Sequence, residues 1–401
     1  MHLRQQTDQR YEVIDARRQT VAVVVVDQTI CGRSSGGVRL FPGAVDAEEV
    51  AAVARLMTLK LGFLRLDPRG GSKIGVTDPG RQVPDRAAYF RELGRALRDQ
   101  LGTGTMAVGV DLGSTPADVG ALLAGAGARA RPDAYAASST GTARGIFVVL
   151  RVLRELLGLG ERQLDVGIEG FGKVGSEVAR LAGASGCRVV AVTNRLGGLH
   201  RPAGLDVGKL LRGYLELGDD FILGGDEGAP MGRRDLFRLP ALDLLIPCAA
   251  AGSLWAEDAG GLSARVVVPG ANLWASDAAR QALHRRGVFC VPDFVANAGG
   301  VLGAILAHAG FGEDETELIY RRDLARNVRR HLEAAIDAAA EPFALVSAMA
   351  LRRFHELKAE HEDSLAGRIV GSRALSAVRG TAAWRALMRR HIRDALSRES
   401  E

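Results

Sequence analysis

The strongest constraint on the fold lies near the middle of the chain. There Leu164-Asp-Val-Gly-Ile-Glu169 runs into Gly170-Phe171-Gly172-Lys173-Val174-Gly175, then into Ser-Glu-Val-Ala-Arg-Leu, and a β-branched run follows at Cys187-Arg-Val-Val-Ala-Val-Thr-Asn194. An apolar run of strand length, a Gly-x-Gly-x-x-Gly turn, a helical run and a second strand predict a βαβ unit. In that context the first glycine allows a tight turn, the second a close approach to a pyrophosphate, and the helix start offers unpaired N–H groups to it. Dinucleotide binding by residues 170–175 is the expectation. Further apolar runs at Leu242–Pro247, Arg265–Pro269 and Val288–Pro292 are spaced as in an alternating α/β sheet. Each ends in small or polar residues, and ligands bind at the carboxyl ends of such strands. Cys248, Ala249, Asn272 and Asn297 therefore join the candidate cofactor contacts. Cys248 has no evident His partner and is read as a buried thiol rather than a nucleophile. Where an acidic residue commonly meets the ribose 2′-hydroxyl, this chain has Asn194 and Arg195. Loss of the carboxylate and gain of a guanidinium lean towards NADP, with NAD left open.

Lysine is rare here: Lys60, Lys73, Lys173, Lys209 and Lys358 are five of 52 basic residues. A lysine amine becomes a base near neutral pH when desolvated or placed beside another cation, which arginine cannot do. Lys60 closes a helical run that opens at Asp46 with an acidic first turn, and Lys73 stands in Gly70-Gly-Ser-Lys, read as a turn. Lys73 is the candidate base. Asp111 follows a short strand at Met106–Val110, where a carboxylate is either a turn residue or a proton carrier. Upstream, Val21–Val26 reads as a buried strand, Cys31–Leu40 as a glycine-bearing turn, and residues 84–100 as a helix.

A chain of 401 residues exceeds one ordinary core, so two domains are expected. Hydrophobic content of 47% and charged content of 25% are those of a globular protein. The net charge of +5 comes without a dense basic tract interleaved with aromatics, which argues against nucleic acid. There is no apolar run of about 18 residues and no signal core, so a cytoplasmic protein without membrane contact is expected. The four cysteines form no CxxC pair and the eight histidines are scattered, which suggests free thiols and no metal site.

With these stretches identified, the chain resembles the glutamate, leucine, phenylalanine and valine dehydrogenase family over about residues 20–310. The resemblance rests on Gly36-Gly-Val-Arg, Met57-Thr-Leu-Lys60, Gly70-Gly-Ser-Lys73, Asp111-Leu-Gly-Ser-Thr, Thr142-Ala-Arg-Gly, Gly170-Phe-Gly-Lys-Val-Gly, Pro247-Cys-Ala, Gly270-Ala-Asn272 and Pro292-Asp-Phe-Val-Ala-Asn297-Ala-Gly-Gly-Val301, in order. Val24-Val-Val-Asp-Gln-Thr-Ile-Cys-Gly-Arg-Ser-Ser-Gly-Gly looks closer to the leucine and phenylalanine branch. The resemblance implies an α/β fold of two domains: an N-terminal α/β substrate domain over 1–143, a Rossmann-like doubly wound NAD(P) domain over 144–340, and helices over 341–401 packing back on the first domain. It implies reversible, NAD(P)-dependent oxidative deamination of an L-amino acid to a 2-oxo acid and ammonia by a homo-oligomer. Lys60 would bind the substrate carboxylate, Lys73 would assist water attack, Asp111 would shuttle the amino-group proton, and Thr142 would join the cofactor contacts. Ser35, Gly36, Gly109, Asn297, Val301 and Ala304 would line the substrate pocket. Small residues at 35, 109 and 304 imply a bulky or aromatic side chain rather than glutamate. Two departures stand out: one extra residue between Lys60 and Lys73, and Pro269 where the family often has glutamate. They leave open an imine reductase or an enzyme for a non-proteinogenic amino acid, and a non-catalytic dinucleotide-binding paralogue is the remaining alternative.

Overall fold

Of the two glycine-rich stretches that read as turns, Gly70-Gly-Ser-Lys73 and residues 34–40 are strand, and only Cys31–Gly32 turn, in the computed structural model, which describes residues 1–80, 85–129, 132–224, 227–363 and 381–398. Cys31–Leu40 leads into β4, and Gly70-Gly-Ser-Lys73 opens β5. The strand glycines Gly36, Gly70 and Gly71 serve close approach between backbones, whereas Gly32 takes φ 67° in the turn before β4. A Cβ on Gly36 would lie 1.9 Å from the Ser72 carbonyl oxygen, one on Gly70 would lie 1.8 Å from that of Gln28, and one on Gly71 would lie 2.3 Å from the Thr58 nitrogen.

The strands are β1 (His2–Thr7), β2 (Arg10–Ile14), β3 (Thr20–Val26), β4 (Ser34–Phe41), β5 (Gly70–Thr77), β6 (Met106–Val110), β7 (Leu164–Glu169), β8 (Cys187–Thr193), β9 (Gly198–His200), β10 (Ala229–Met231), β11 (Leu244–Pro247), β12 (Val266–Val267) and β13 (Phe289–Cys290). They form two sheets, ordered β1-β2-β3-β5-β4-β6 and β10-β9-β8-β7-β11-β12-β13. In the first, β4 runs parallel to both β5 and β6, while β1, β2 and β3 add antiparallel strands. In the second, β8, β7, β11, β12 and β13 are parallel, with β9 and β10 antiparallel at one edge. This is an α/β fold with a Rossmann-like sheet.

Contacts divide the chain into two compact units: Met1–Ser138 with Gly303–Glu313 and Met349–Glu401, and Ser139–Leu302 with Asp314–Ala348. In the first unit, Phe90, Leu93 and Leu122 are fully buried against Val24, Val38 and Ile74 of the sheet. Each such side chain contributes on the order of 2 kcal/mol by leaving water. The other sheet face is covered by the helix Ala47–Leu64. Asp46 accepts from the Glu48 and Glu49 N–H groups at its start, and Arg65, at φ 52°, closes its end. The chain returns to this unit at Met349, within the helix Pro342–Glu362. Phe354 and Leu357 pack on Ile30, Arg65 pairs with Glu356 and Glu360, and a Cβ on Gly62 would lie 2.2 Å from the Ala350 carbonyl oxygen. In the second unit the core gathers Leu245, Val267, Trp274 and Leu283. No described helix is long and apolar enough to cross a membrane.

The helix Ala47–Leu64 can lie this close to β5 only because residue 71 has no side chain. Gly71→Ala puts a methyl against helix backbone, with an expected cost of about 2 kcal/mol or more. A clear fall in the thermal midpoint is predicted; an unchanged midpoint would show that the helix is not clamped there.

Candidate functional site

In the first unit, register brings the chemistry together. Gly37 of β4 pairs with Gly109 of β6, and Val38 pairs with Ile74 of β5. Residues 37 and 39 of β4 and 73 of β5 thus point to one face, the face under the helix Ala47–Leu64. There the Lys73 Nζ meets Asp111 Oδ2 at 2.5 Å. Arg39, which sequence reasoning missed, donates from Nε to the same oxygen at 3.1 Å and from Nη1 to Glu49. Asp111 sits just beyond β6, its N–H donating to Ser114 Oγ at 3.0 Å. Gly37 makes the meeting possible, since a Cβ there would lie 3.1 Å from both Lys73 Nζ and Asp111 Cβ.

Lys73 is 5% exposed. Burial pushes its amine below the ordinary lysine value; Asp111 opposes the shift and Arg39 adds to it. Burial alone would raise the Asp111 carboxyl, yet Lys73 and Arg39 together hold it well below the usual carboxylate range. The pair is therefore an amine biased towards its free base beside a carboxylate that stays ionised. Lys60 is also buried, on the helix that carries Glu49. Eleven residues separate the two, within about 20° of three full turns, so both occupy one helix face. Ser35 and Gly36 lie half-buried on β4 and Gly109 on the edge strand β6, and Ala304 is half-buried in the same unit.

In the second unit the fingerprint forms the connection from β7 to the helix Lys173–Ala182. Gly170 adopts φ 88° and has no room for a Cβ against Ala249, at 2.7 Å. A Cβ on Gly175 would lie 2.0 Å from the Gly170 carbonyl oxygen, which fixes the helix on the strand. Gly172, at the helix start, faces open space, and no side chain caps the first N–H groups. Phe171 is buried, Val174 half-buried and Lys173 exposed. Asn297 Nδ2 donates to Asn272 Oδ1 at 2.8 Å and to the Gly270 carbonyl at 3.2 Å, and its own Oδ1 is buried without a partner. An open glycine, an uncapped helix start and an orphaned amide oxygen suit a dinucleotide. Thr142 is buried on the helix Pro132–Leu156, and Val301 is half-buried on the helix Ala298–Ala309. Burial, with the nearby Glu169 charge, pushes the Cys248 thiol well above the ordinary cysteine value. Among the described residues no group of His, Cys, Asp or Glu could hold a metal.

Asn194 closes its own loop, donating to the Asp219 carbonyl at 2.7 Å and accepting from the Leu196 N–H at 2.9 Å. Arg195 is paired with the Asp219 carboxylate at 2.5 Å. Glu169, a second residue missed from sequence, is buried at the end of β7 and accepts from Ser253 Oγ at 2.8 Å. Burial raises its carboxyl to about 7, against the opposing Ser253 hydrogen bond and the charges of Arg233 and Arg234. The available signal was a carboxylate at the buried end of a strand, directly before the fingerprint.

Comparison with known proteins agrees with this picture. The sequence matches the family described as Glutamate/Leucine/Phenylalanine/Valine dehydrogenase over residues 135–358. Glutamate dehydrogenase of Thermotoga maritima is 31% identical over 293 residues, 67% of this chain and 68% of that protein. Glutamate dehydrogenase A2 of Halobacterium salinarum is 30% identical over 321 residues, 76% of each chain. Among solved structures, hetero-hexameric glutamate dehydrogenase from Thermus thermophilus in its Leu-bound form superposes with a TM-score of 0.74 at 27% identity, covering 86% of this chain and 87% of that one. L-tryptophan dehydrogenase from Nostoc punctiforme shares the fold, with a TM-score of 0.62 at 19% identity over 88% and 96% of the two chains. Fold and relatives define an NAD(P)-dependent amino acid dehydrogenase. Within that class, the chain belongs to the Glutamate/Leucine/Phenylalanine/Valine dehydrogenase family.

Glu169 gives a pH signature. Its folded pKa is raised, so the native state keeps a proton that the unfolded chain releases, and stability falls as pH rises from about 4.5 through about 7. Glu169→Gln should stabilise the protein above that range by on the order of 2–3 kcal/mol, and hardly at all near pH 4.5. Thermal midpoints of both proteins at the two pH values check this. An equal difference at both would refute the raised carboxyl.

Proposed function

We propose that the protein catalyses reversible oxidative deamination of an L-amino acid to a 2-oxo acid and ammonia, with Lys73 as base and Asp111 as proton carrier. The observation that carries the reading is the 2.5 Å contact between a desolvated Lys73 and an ionised Asp111 on the open-backbone face at Gly37. Lys60 neutralises the substrate α-carboxylate. Once the α-carbon has lost its hydride and become an imine carbon, Lys73, as free amine, takes a proton from the water that attacks it, and Asp111 carries a proton to the nitrogen that leaves as ammonia. Bound NAD(P) supplies the two-electron acceptor. Residues 170–175, Thr142, Cys248, Ala249, Asn272 and Asn297 hold the dinucleotide, and Asn194 with Arg195 lies on its adenosine ribose. Ser35, Gly36, Gly109 and Ala304 in the first unit, and Asn297 and Val301 in the second, are the substrate contacts of this reading, and the small residues at 35, 109 and 304 favour a bulky or aromatic side chain over glutamate. The protein works in the cytoplasm as a homo-oligomer, with small molecules as its partners.

NADP is favoured over NAD, with Asp219 as a brake. Arg195 must leave the Asp219 carboxylate to reach a 2′-phosphate. The pair is exposed and weak, so Asp219→Ala should shift the KM ratio towards NADP by about two- to fivefold. An unchanged ratio would remove Arg195 from the cofactor site.

Reduced-cofactor absorbance at alkaline pH, with a panel of L-amino acids and each cofactor, tests the function. Turnover with bulky or aromatic substrates is expected, and Lys73→Ala should lower kcat by about 10²-fold or more while NAD(P) binding persists. Full turnover in Lys73→Ala would end the assignment.

A further inference from the structure

Arg39 is the buried charge that the proposed reaction leaves without a task. It is 4% exposed, in the middle of β4, and it spans two acids. Its Nε reaches Asp111 Oδ2 at 3.1 Å, the same oxygen that Lys73 meets at 2.5 Å, and its Nη1 is held by Glu49. Glu49 stands in the capped first turn of the covering helix, where its backbone N–H donates to Asp46 at 3.1 Å. The backbone beside the carboxylate is tied to the same strand, where the Leu40 N–H donates to the Leu112 carbonyl at 2.9 Å.

We infer that Arg39 is a positioning residue for the reaction: a permanent cation, braced by Glu49, that fixes the Asp111 carboxylate and keeps Lys73 available as a free amine. This rests on the reading of Lys73 and Asp111 as the reacting pair. Guanidinium suits the task because it does not deprotonate in proteins and its planar fork can serve two acids from fixed angles. A second lysine there would keep the positive charge but bridge the two acids less rigidly.

The groups facing Lys73 are Arg39 from β4, Glu49 from the covering helix and Asp111 from beyond β6. Asp111 also receives the Leu112 N–H. Arg39 and Glu49 act on Lys73 with opposite sign: the guanidinium lowers the amine's pKa and the carboxylate raises it. Oxidative deamination needs the free amine, so its rate rises with pH as Lys73 loses its proton. Removing Arg39 moves that ascending limb to higher pH, and removing the Glu49 charge moves it to lower pH.

The test measures kcat and KM against pH for full-length wild type, Arg39→Met, Arg39→Lys and Glu49→Gln, with Lys73→Ala as reference and NAD(P) binding as the check of folding. For Arg39→Met, kcat should fall by about 10- to 100-fold, KM should change less, and the ascending limb should move up by about half a pH unit or more. Arg39→Lys should keep the limb near its wild-type position despite a lower kcat. Glu49→Gln, whose side chain is 26% exposed, should fold and move the limb down. A purely structural Arg39 would lower the amount of folded enzyme and leave the limb in place. If the limb stays put in both Arg39→Met and Glu49→Gln while Lys73→Ala is inactive, the positioning role is refuted and the catalytic pair stands. Full turnover in Lys73→Ala would instead remove the pair itself and the inference with it.

Discussion

Lys73 and Asp111 meet at 2.5 Å under a helix, and most of the first unit is arranged so that they can. A buried ion pair is costly to desolvate, and removing one partner leaves an uncompensated charge worth about 3–5 kcal/mol. The chain meets that cost with a third and a fourth charge, Arg39 and Glu49, and with missing side chains around them. Gly37 leaves room for the amine, while Gly71 lets the covering helix descend onto β5. The helix Pro342–Glu362 braces that covering helix from outside, through Gly62 against Ala350 and Arg65 between Glu356 and Glu360.

The second unit solves a different problem by the same means. Its glycines at 170 and 175 have no room for a side chain, so they set the turn and the helix on the strand. The glycine at 172 faces open space and keeps the helix start accessible. Asn297 holds Asn272 and the Gly270 carbonyl while leaving one amide oxygen buried and unused. Beneath them Glu169 introduces a carboxyl with a pKa of about 7, so this unit has a proton-dependent stability that the strand would lack with a neutral amide there.

Local features were legible in the sequence. The fingerprint, the helix opening at Asp46 and the parallel strands ending at Pro247 and Cys290 follow from patterns spanning a few residues. The glycine pairs at 36–37 and 70–71 were misread as turns because their partners are distant in sequence: Ser72 for Gly36, and Thr58 for Gly71. Glycine for close packing and glycine for a turn look alike until the neighbour is known. The hairpin of β1 and β2 and the antiparallel pair β9 and β10 were also unseen, being short and polar or weakly patterned. Arg39 stood inside the Gly36-Gly-Val-Arg motif but drew no role, for a compositional reason. In a chain that uses arginine almost everywhere, one more arginine carries no signal, whereas the scarcity of lysine singled out Lys73 at once. The Arg195–Asp219 pair joins residues 24 positions apart and could not be inferred from either.

That scarcity also makes the central claim directly measurable. With [¹³Cε]lysine incorporated, the protein has only five labelled side chains to follow by NMR as pH is raised. The account predicts one resonance, lost in Lys73→Ala, that titrates below the ordinary lysine range. If the Lys73 resonance titrated with the ordinary lysines, the desolvated amine would not exist as a base, and the reading of the site would be contradicted.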